Sequence, residues 1–414
     1  MTKYILPVIV FFAIACSSNS KEKQTREIEA KTGTIEETWL FKITLNDSVT
    51  LPVKATSIKG DDFNFTIHNA EEQIKLKNIQ QRGDSIFMEV PVFQTGFEGI
   101  YNGDKNFISG VLVKYDAVDY RLPFTAQKTD SNGSGLTKPC CDINKRYKVL
   151  FRPGQENEGH AIGEFKQFGN EISGTFMTET GDYRYLSGLL VGNQMRLSAF
   201  DGNHLYFFKA TVDENGDMNG IFFSGKTRAD KWTAEINNTF ELADPDKLTY
   251  LKEGETELSF SFNTTKEETI EYNREKYLGK VVILQILGSW CPNCMDETKF
   301  LHQQYLKHSD EGLEIIGLAF ERKRDKAPSY KAIDKMVEDL GMTYPVVFAG
   351  STRMADREKA LPQLNKIMSF PTSIYINKKG EIVKIHTGFS GPGTSEYDSF
   401  VEETEALIQS MLAD

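Results

Sequence analysis

The hydrophobic positions divide the chain into two regions of different pattern. Over residues 35–242, short runs rich in Val, Ile, Phe and Tyr alternate with Gly, Asp and Asn turn signals, which predicts antiparallel strands. Over residues 245–414, strand-like runs alternate with helical ones, which predicts an α/β domain with a central sheet. We therefore expect an α+β protein with its β-rich part first.

The β-rich region itself falls into two parts. Residues 35–127 carry five strand signals, and residues 141–242 carry eight, with a Ser- and Gly-rich linker at 128–140. Strands at this spacing predict an antiparallel barrel or sandwich region, possibly made of two units. Gly83-Asp84 has a counterpart in Gly192-Asn193. This similarity is compatible with a duplicated β unit and also with the turn sequences that hairpins commonly share.

The N-terminus carries an apolar run over residues 4–15. Twelve residues are too few for a membrane-spanning helix, which takes about 20, but they match the core of a signal peptide. The tetrapeptide ending at Cys16 resembles a bacterial lipobox, with Ala13 where leucine is usual. We predict a signal peptide over 1–15, lipidation at Cys16 and a flexible tether over 16–34; ordinary signal cleavage is the alternative.

Charge narrows the possible partners. The chain has 48 basic and 59 acidic side chains, a net charge of −11. Nucleic-acid binding needs a basic surface, so nucleic acid is not expected as a partner. We interpret the acidic surface as a source of solubility.

The clearest chemical motif is the pair Cys291 and Cys294. It follows the apolar run 281–287 directly and precedes a predicted helix that begins at Pro292. Cys291 then lies at the N-cap, where free backbone N–H groups and the helix dipole stabilise a thiolate. We predict that Cys291 attacks a disulfide and that the more buried Cys294 resolves the mixed disulfide.

The same cysteines could form a permanent disulfide or half of a zinc site. A four-ligand zinc site needs a second pair at suitable spacing. His302 and His308 follow Cys294 too closely for a zinc finger, and they point to different faces of a helix. We expect no metal and no cofactor.

Several motifs of the C-terminal region carry a family resemblance. Gly288-Ser289-Trp290-Cys291-Pro292-Asn293-Cys294 resembles the active site of the TlpA/ResA-like thioredoxin family of bacterial envelope reductases. Glu297 stands where that family has an active-site acid, and Ser369-Phe370-Pro371-Thr372 resembles its cis-proline segment. The resemblance covers roughly residues 245–414 and implies a thioredoxin fold.

The resemblance implies a substrate groove at the motif. Pro371 would be the cis-proline that shapes the groove beside Cys291, and Trp290 would cover the sulfur atoms and contact partners. A packing aromatic is the plain alternative for Trp290. The other substrate contacts implied are Pro292, Phe370 and Thr372.

The resemblance also implies a proton carrier. Glu297 would tune the thiol pKa and move protons to or from Cys294. The alternative is an ordinary acid in the first turn of a helix. Gln285 stands where thioredoxins have a buried Asp, and it cannot titrate, so proton transfer would fall to Glu297 or water.

The function implied is a lipid-anchored thiol–disulfide oxidoreductase of the cell envelope, facing the periplasm or the cell surface. It would reduce disulfides in envelope proteins and take electrons from a membrane thiol transporter. One alternative is a ligand- or partner-binding lipoprotein with an accessory thioredoxin domain. A thiol peroxidase is another, but Leu284 and Gly288 stand where its signature needs Pro and Thr or Ser. The β-rich region resembles the N-terminal extensions of Bacteroidetes-type thioredoxin-like lipoproteins.

Cys140 and Cys141 are adjacent, and a disulfide between neighbours is strained and rare. Two free thiols, a redox relay and an attachment point are all open. We favour a linker pair without catalytic duty.

Overall fold

The computed structural model describes residues 36–58, 60, 64–129 and 135–414. The predicted signal peptide at 1–15, Cys16 and the tether at 16–34 lie outside the described residues, as does the part of the predicted linker at 130–134. No helix in the described ranges is both long and apolar enough to cross a membrane.

The first β region is a nine-stranded antiparallel sheet in which consecutive strands pair, apart from β4 and β5, and β1 also pairs with β9. β4 and β5 are two halves of one strand interrupted at Leu76, and they pair with β3 and β6 respectively. The sheet thus closes into a barrel. Its strands are β1 Glu36–Asn46, β2 Val49–Ile58, β3 Phe65–Asn69, β4 Glu72–Lys75, β5 Lys77–Arg82, β6 Ser85–Glu89, β7 Thr95–Asn102, β8 Phe107–Lys114 and β9 Arg121–Lys128.

The sequence signals in this region are incomplete. β1, β2 and β7 are absent from the five predicted strands, because their outward positions hold Thr, Lys, Glu or Gly rather than a continuous apolar run. The inward positions of β1 and β2 are nonetheless buried at alternate residues, as a sheet with one face on a core requires.

The second β region repeats the same up-and-down order. β10 pairs with both β11 and β18, and β11 pairs with β12, so this sheet also closes. Its eight main strands correspond in order to the eight predicted ones. The strands are β10 Arg146–Phe151, β11 Gly159–Phe168, β12 Glu171–Thr178, β13 Gly181–Asp182, β14 Leu186–Val191, β15 Gln194–Phe200, β16 Leu205–Val212, β17 Met218–Ser224 and β18 Arg228–Ile236.

Aromatic side chains fill the second barrel. The Phe208 ring stacks on Phe222 at 4.3 Å between ring centroids and on Phe176 at 4.5 Å. Trp232 lies so close to Gly220 that a Cβ there would meet its indole nitrogen at 2.5 Å. The Phe-rich strands therefore form a core.

The C-terminal region has the predicted α/β architecture. A five-stranded sheet runs in the order β23-β22-β21-β24-β25, in which β21, β22 and β23 are parallel to one another and β24 is antiparallel to both of its neighbours, β21 and β25. A hairpin precedes it. The elements are β19 Phe260–Asn263, β20 Thr269–Tyr272, β21 Val281–Leu287, α1 Pro292–His308, β22 Leu313–Glu321, α2 Lys326–Leu340, β23 Val346–Ser351, α3 Met354–Ala360, β24 Thr372–Ile376, β25 Ile382–Thr387 and α4 Tyr397–Ala413.

One end of the second barrel meets the cysteine motif and the cis-proline segment of the C-terminal domain, and Ser395 Oγ also donates to Glu164 on the side of the barrel. In an up-and-down barrel, successive turns lie at alternate ends. The turns at 179–185 and 201–204 contact the C-terminal domain through hydrogen bonds. The turns at 169–170 and 192–193 therefore lie at the opposite end.

Candidate functional site

The cysteine motif lies at the junction of β21 and α1. All seven residues of β21 are buried, and α1 begins at Pro292 with Cys291 as its N-cap, as the sequence predicts. Cys291 and Cys294 form a disulfide. The backbone N–H of Cys294 donates to Cys291 Sγ at 3.2 Å. Cys291 is 6% exposed and Cys294 is fully buried, so Cys291 is the more accessible sulfur.

The segment before β24 lies against this motif. The Phe370–Pro371 peptide bond is cis, and the Phe370 carbonyl oxygen lies 3.5 Å from Cys291 Sγ. The Trp290 ring packs edge-on against Phe370, with 5.5 Å between ring centroids. Trp290 is also held by its indole N–H, which donates to the Phe320 carbonyl at 3.0 Å. The structure thus brings Trp290, Phe370 and Pro371 together at Cys291.

Two other residues predicted to contact the substrate, Pro292 and Thr372, are buried. Pro292 is buried within the first turn of α1, and Thr372 is fully buried with its hydroxyl donating to the Ser369 carbonyl at 2.9 Å. Thr372 therefore stabilises the cis-proline turn from inside. In this arrangement its side chain does not face the groove.

Glu297 lies one turn after Cys294 on the same face of α1, and both side chains are fully buried. Its carboxylate accepts hydrogen bonds from Gln285 Nε2 and Ser373 Oγ, each at 2.9 Å. Burial raises the pKa of Glu297 to about 7, against the opposing effect of these two donors. A carboxyl group with this pKa can give or take a proton at neutral pH.

Gln285 has a defined part in this cluster. Its side-chain oxygen accepts from Thr298 Oγ1 at 3.1 Å and from the Tyr344 hydroxyl at 3.2 Å. These donors fix the amide so that its NH2 group faces Glu297. Gln285 thus orients the buried acid, although it cannot titrate itself.

Contacts from the second barrel surround the motif, and the sequence does not predict them. Asn203 Nδ2 donates to the Trp290 carbonyl at 2.7 Å. Asn293 Nδ2, between the two cysteines, donates to the Asp182 carbonyl at 3.1 Å. Ser369 Oγ donates to the Thr180 carbonyl at 2.8 Å. In the sequence, the barrel residues of these three bonds are marked only by their position in turn segments.

A buried arginine joins three parts of the chain. Arg184 of the second barrel pairs with Asp296 of α1 at 2.7 Å and with Glu72 of the first barrel at 2.6 Å. Asp201 lies 4.0 Å away. These carboxylates hold the pKa of Arg184 well above its usual value, against the effect of burial. The arginine therefore stays charged and ties both barrels to the active-site helix.

The second cysteine pair lies away from this site. Cys140 and Cys141 have free thiols with their sulfur atoms 2.8 Å apart. The Cys140 N–H donates to the Gly192 carbonyl at 2.8 Å, which places the pair at the barrel end opposite the one that meets the motif. This separation disfavours a direct relay to Cys291.

The fold and the site define a class of protein: a thioredoxin fold with a redox-active cysteine pair at a helix N-terminus, a cis-proline beside it and a buried acid behind it. Residues 252–401 match the redoxin family. The chain is 30% identical over 156 residues to the thiol-disulfide oxidoreductase ResA of Halalkalibacterium halodurans, covering 38% of this chain and 77% of that protein. It is 28% identical over 138 residues to ResA of Bacillus subtilis, covering 33% and 69%.

Among solved structures, a secreted thiol-disulfide isomerase from Corynebacterium glutamicum is 17% identical with a TM-score of 0.31, covering 42% of this chain and 99% of that one. A DsbF homologue from Corynebacterium diphtheriae is 18% identical with a TM-score of 0.30, covering 41% and 99%.

On the sequence relatives, the chain belongs to the ResA-like thiol-disulfide oxidoreductases of the redoxin family. It is an enzyme of thiol–disulfide exchange. The family match covers the C-terminal domain and leaves both barrels outside it. The roles assigned above to single residues remain predictions.

Proposed function

We propose that this protein reduces disulfides in proteins of the cell envelope, with Cys291 as attacking thiolate and Cys294 as resolving thiol. In the first step Cys291 forms a mixed disulfide and one substrate thiolate leaves. Cys294 then attacks Cys291 Sγ, the second substrate thiolate leaves, and the enzyme disulfide forms. Glu297 accepts the proton of Cys294 in this second step.

The atoms around Cys291 Sγ support reduction, rather than oxidation, of the substrate. Within the part of the chain that the structure describes, one backbone N–H donates to it and one carbonyl oxygen faces it at 3.5 Å. The carbonyl oxygen favours a neutral thiol, which can donate, over a thiolate. Strong disulfide oxidants depend on a highly stabilised reduced form, so this modest stabilisation favours a reductant.

The envelope location rests on the N-terminal sequence. The lipobox-like segment ending at Cys16 supports a lipid anchor, and a membrane thiol transporter would return two electrons to the Cys291–Cys294 disulfide. If Cys16 is lipidated, Cys16→Ser should move the protein out of the membrane fraction, and inhibition of lipoprotein signal processing should leave a larger precursor. An unchanged distribution and an unchanged size would refute the anchor.

Substrates can be captured with the Cys294→Ser variant, which cannot resolve a mixed disulfide. Expressed in its own host, it should accumulate disulfide-linked envelope proteins that a reducing agent releases. The matched control is Cys291→Ser/Cys294→Ser, which should trap none. Equal trapping by both variants would contradict attack by Cys291.

A further inference from the structure

A groove runs along the Trp290 side of the active site. It consists of two adjoining cavities, of about 250 and about 460 Å3, which share Phe93, Gln94, Tyr115 and Lys331 in their linings. The smaller cavity is also lined by Trp290. We call this combined space the Trp290 groove. One wall comes from the first barrel and the other from the segment that follows β22, so neither region forms it alone.

The middle of the groove is aromatic. Phe93 and Tyr115 of the first barrel line it, and Tyr115 keeps 45% of its surface exposed. Opposite them, the Arg322 guanidinium lies 5.0 Å from the centre of the Trp290 ring. This lining suits an apolar side chain of a bound peptide.

The carboxylates around the groove already have partners. The carboxylates of Asp116 and Glu98 lie 3.0 and 2.6 Å from the guanidinium groups of Arg322 and Arg121, and Glu89 pairs with Lys335. The buried Glu321 carboxylate accepts from the backbone N–H and the hydroxyl of Ser289.

Two lysines of the groove have no such partner. Lys323 and Lys331 line it, and neither ammonium group forms an ion pair or a side-chain hydrogen bond with any residue that the structure describes. Three of the nearby carboxylates already pair with other cations, and the fourth, that of Glu321, is buried against Ser289, so these two lysines present unpaired positive charge to the groove. A ligand with a carboxylate would complement it.

The groove reaches Trp290, the residue directly before Cys291. Trp290 contacts Phe370, whose carbonyl lies beside Cys291 Sγ. On the other side of the motif, the second barrel already binds Asn293 and Ser369. On the Trp290 side the second barrel contributes Asn203, which bonds the Trp290 carbonyl and lines the groove, and the cavity beside it remains for a polypeptide held at Cys291.

We propose that the Trp290 groove binds the polypeptide segment next to the substrate cysteine, and that it selects segments with an apolar side chain and an Asp or Glu. The apolar side chain lies against Phe93 and Tyr115, and the carboxylate faces Lys323 and Lys331. This inference rests on the proposed reduction of protein disulfides and adds a sequence preference that the first barrel and the segment after β22 supply together.

The test uses the full-length reduced enzyme and peptides whose single cysteine is activated as a 2-pyridyl disulfide. One peptide carries Phe and Glu beside the cysteine, and its partner carries Phe and Lys. Neutral 2,2′-dipyridyl disulfide measures reactivity without any peptide. We expect the Glu peptide to show a kcat/KM up to about fivefold higher per groove lysine than the Lys peptide, and salt should reduce this difference.

Lys331→Glu and Lys323→Glu should each diminish or reverse that preference while dipyridyl disulfide reduction stays unchanged. Lys276→Glu is the matched control, since it makes the same charge change on an exposed lysine outside the groove. Equal rates for both peptides in an enzyme that reduces dipyridyl disulfide would overturn the groove proposal alone. Failure to reduce any of the three disulfides would overturn the proposed reduction itself.

Discussion

The chain carries two cysteine pairs in opposite settings. Cys291 and Cys294 lie at a strand–helix junction, with a helix N-terminus, a cis-proline segment and a buried acid around them. Cys140 and Cys141 lie in an irregular segment with none of these features, although their sulfur atoms are only 2.8 Å apart. From this comparison we predict that nearby thiols alone do not make an exchange centre. The surroundings must stabilise a thiolate and handle a proton.

The largest expected difference is in activity. Cys291→Ser should abolish reduction of insulin or of an artificial disulfide, because the attacking sulfur is gone. The double variant Cys140→Ser/Cys141→Ser should retain the wild-type rate. If the double variant loses reductase activity while its circular dichroism spectrum is unchanged, Cys140 and Cys141 take part in the reaction and the two pairs do not differ as proposed.

The pairs should also differ in reactivity. Burial and the adjacent Cys140 thiol raise the pKa of Cys141 to about 12, so almost none of it is thiolate at pH 7. After reduction, the thiolate fraction of Cys291 should be on the order of 10³-fold larger than that of Cys141 at this pH, on the basis of an ordinary thiol pKa near 8.5, so iodoacetamide should modify Cys291 faster. Mass spectrometry of timed samples measures both rates. Comparable rates would show that Cys141 is not held as a thiol and that the two pairs do not differ in this way.

Of the two cysteine pairs, the Cys291 pair is the one whose helix is joined to both barrels by Arg184. We call the ion pairs of Arg184 with Asp296 and Glu72 the Arg184 clamp. Arg184→Met should lower the free energy of unfolding by about 3–5 kcal/mol, because Asp296 and Glu72 would be left buried without their cation. Urea denaturation measures this change. Arg196→Met, on an exposed position of β15, is the control and should have little effect. A similar loss of unfolding free energy in both variants would contradict a special contribution of the Arg184 clamp to stability.

The smallest of the four effects concerns the proton. Glu297 must be ionised to accept a proton from Cys294, and its pKa is about 7, so resolution of the mixed disulfide should accelerate as the pH rises through 7. Glu297→Gln should slow this step by about 10²-fold at neutral pH and move the rise towards the pKa of the thiol itself. Single-turnover kinetics from pH 5 to about 9 test this. An unchanged profile, matching that of the exposed control Glu402→Gln, would rule out Glu297 as the base.

The sequence predicts the parts of the site that depend on neighbours along the chain. The buried strand, the helix start at Pro292 and the N-cap at Cys291 are local features, and the structure has them as predicted. The eight strands of the second barrel are likewise marked by alternation and turns. The nearby acid Glu297 is predicted from the resemblance to the TlpA/ResA-like family, which has an acid at this spacing after the second cysteine.

The remaining features depend on contacts between distant residues. Asp182 and Asn293 are 111 residues apart, and Arg184 and Asp296 are 112 apart. In sequence, Asp182 is an ordinary turn residue, and nothing local separates it from turn residues at the far end of the barrel. The closure of the first barrel through β4 and β5 is hidden for the same reason, since each half-strand has a different partner.

The bond between Asn293 and Asp182 has a consequence for how this enzyme can evolve. In the thioredoxin fold the two residues between the cysteines set the redox potential, and they can change independently of the rest of the protein. Here one of them also holds a barrel in place. A substitution at Asn293 would alter the potential and loosen the docking together, so adaptation to a new redox partner would require a matching change at the turn around Asp182.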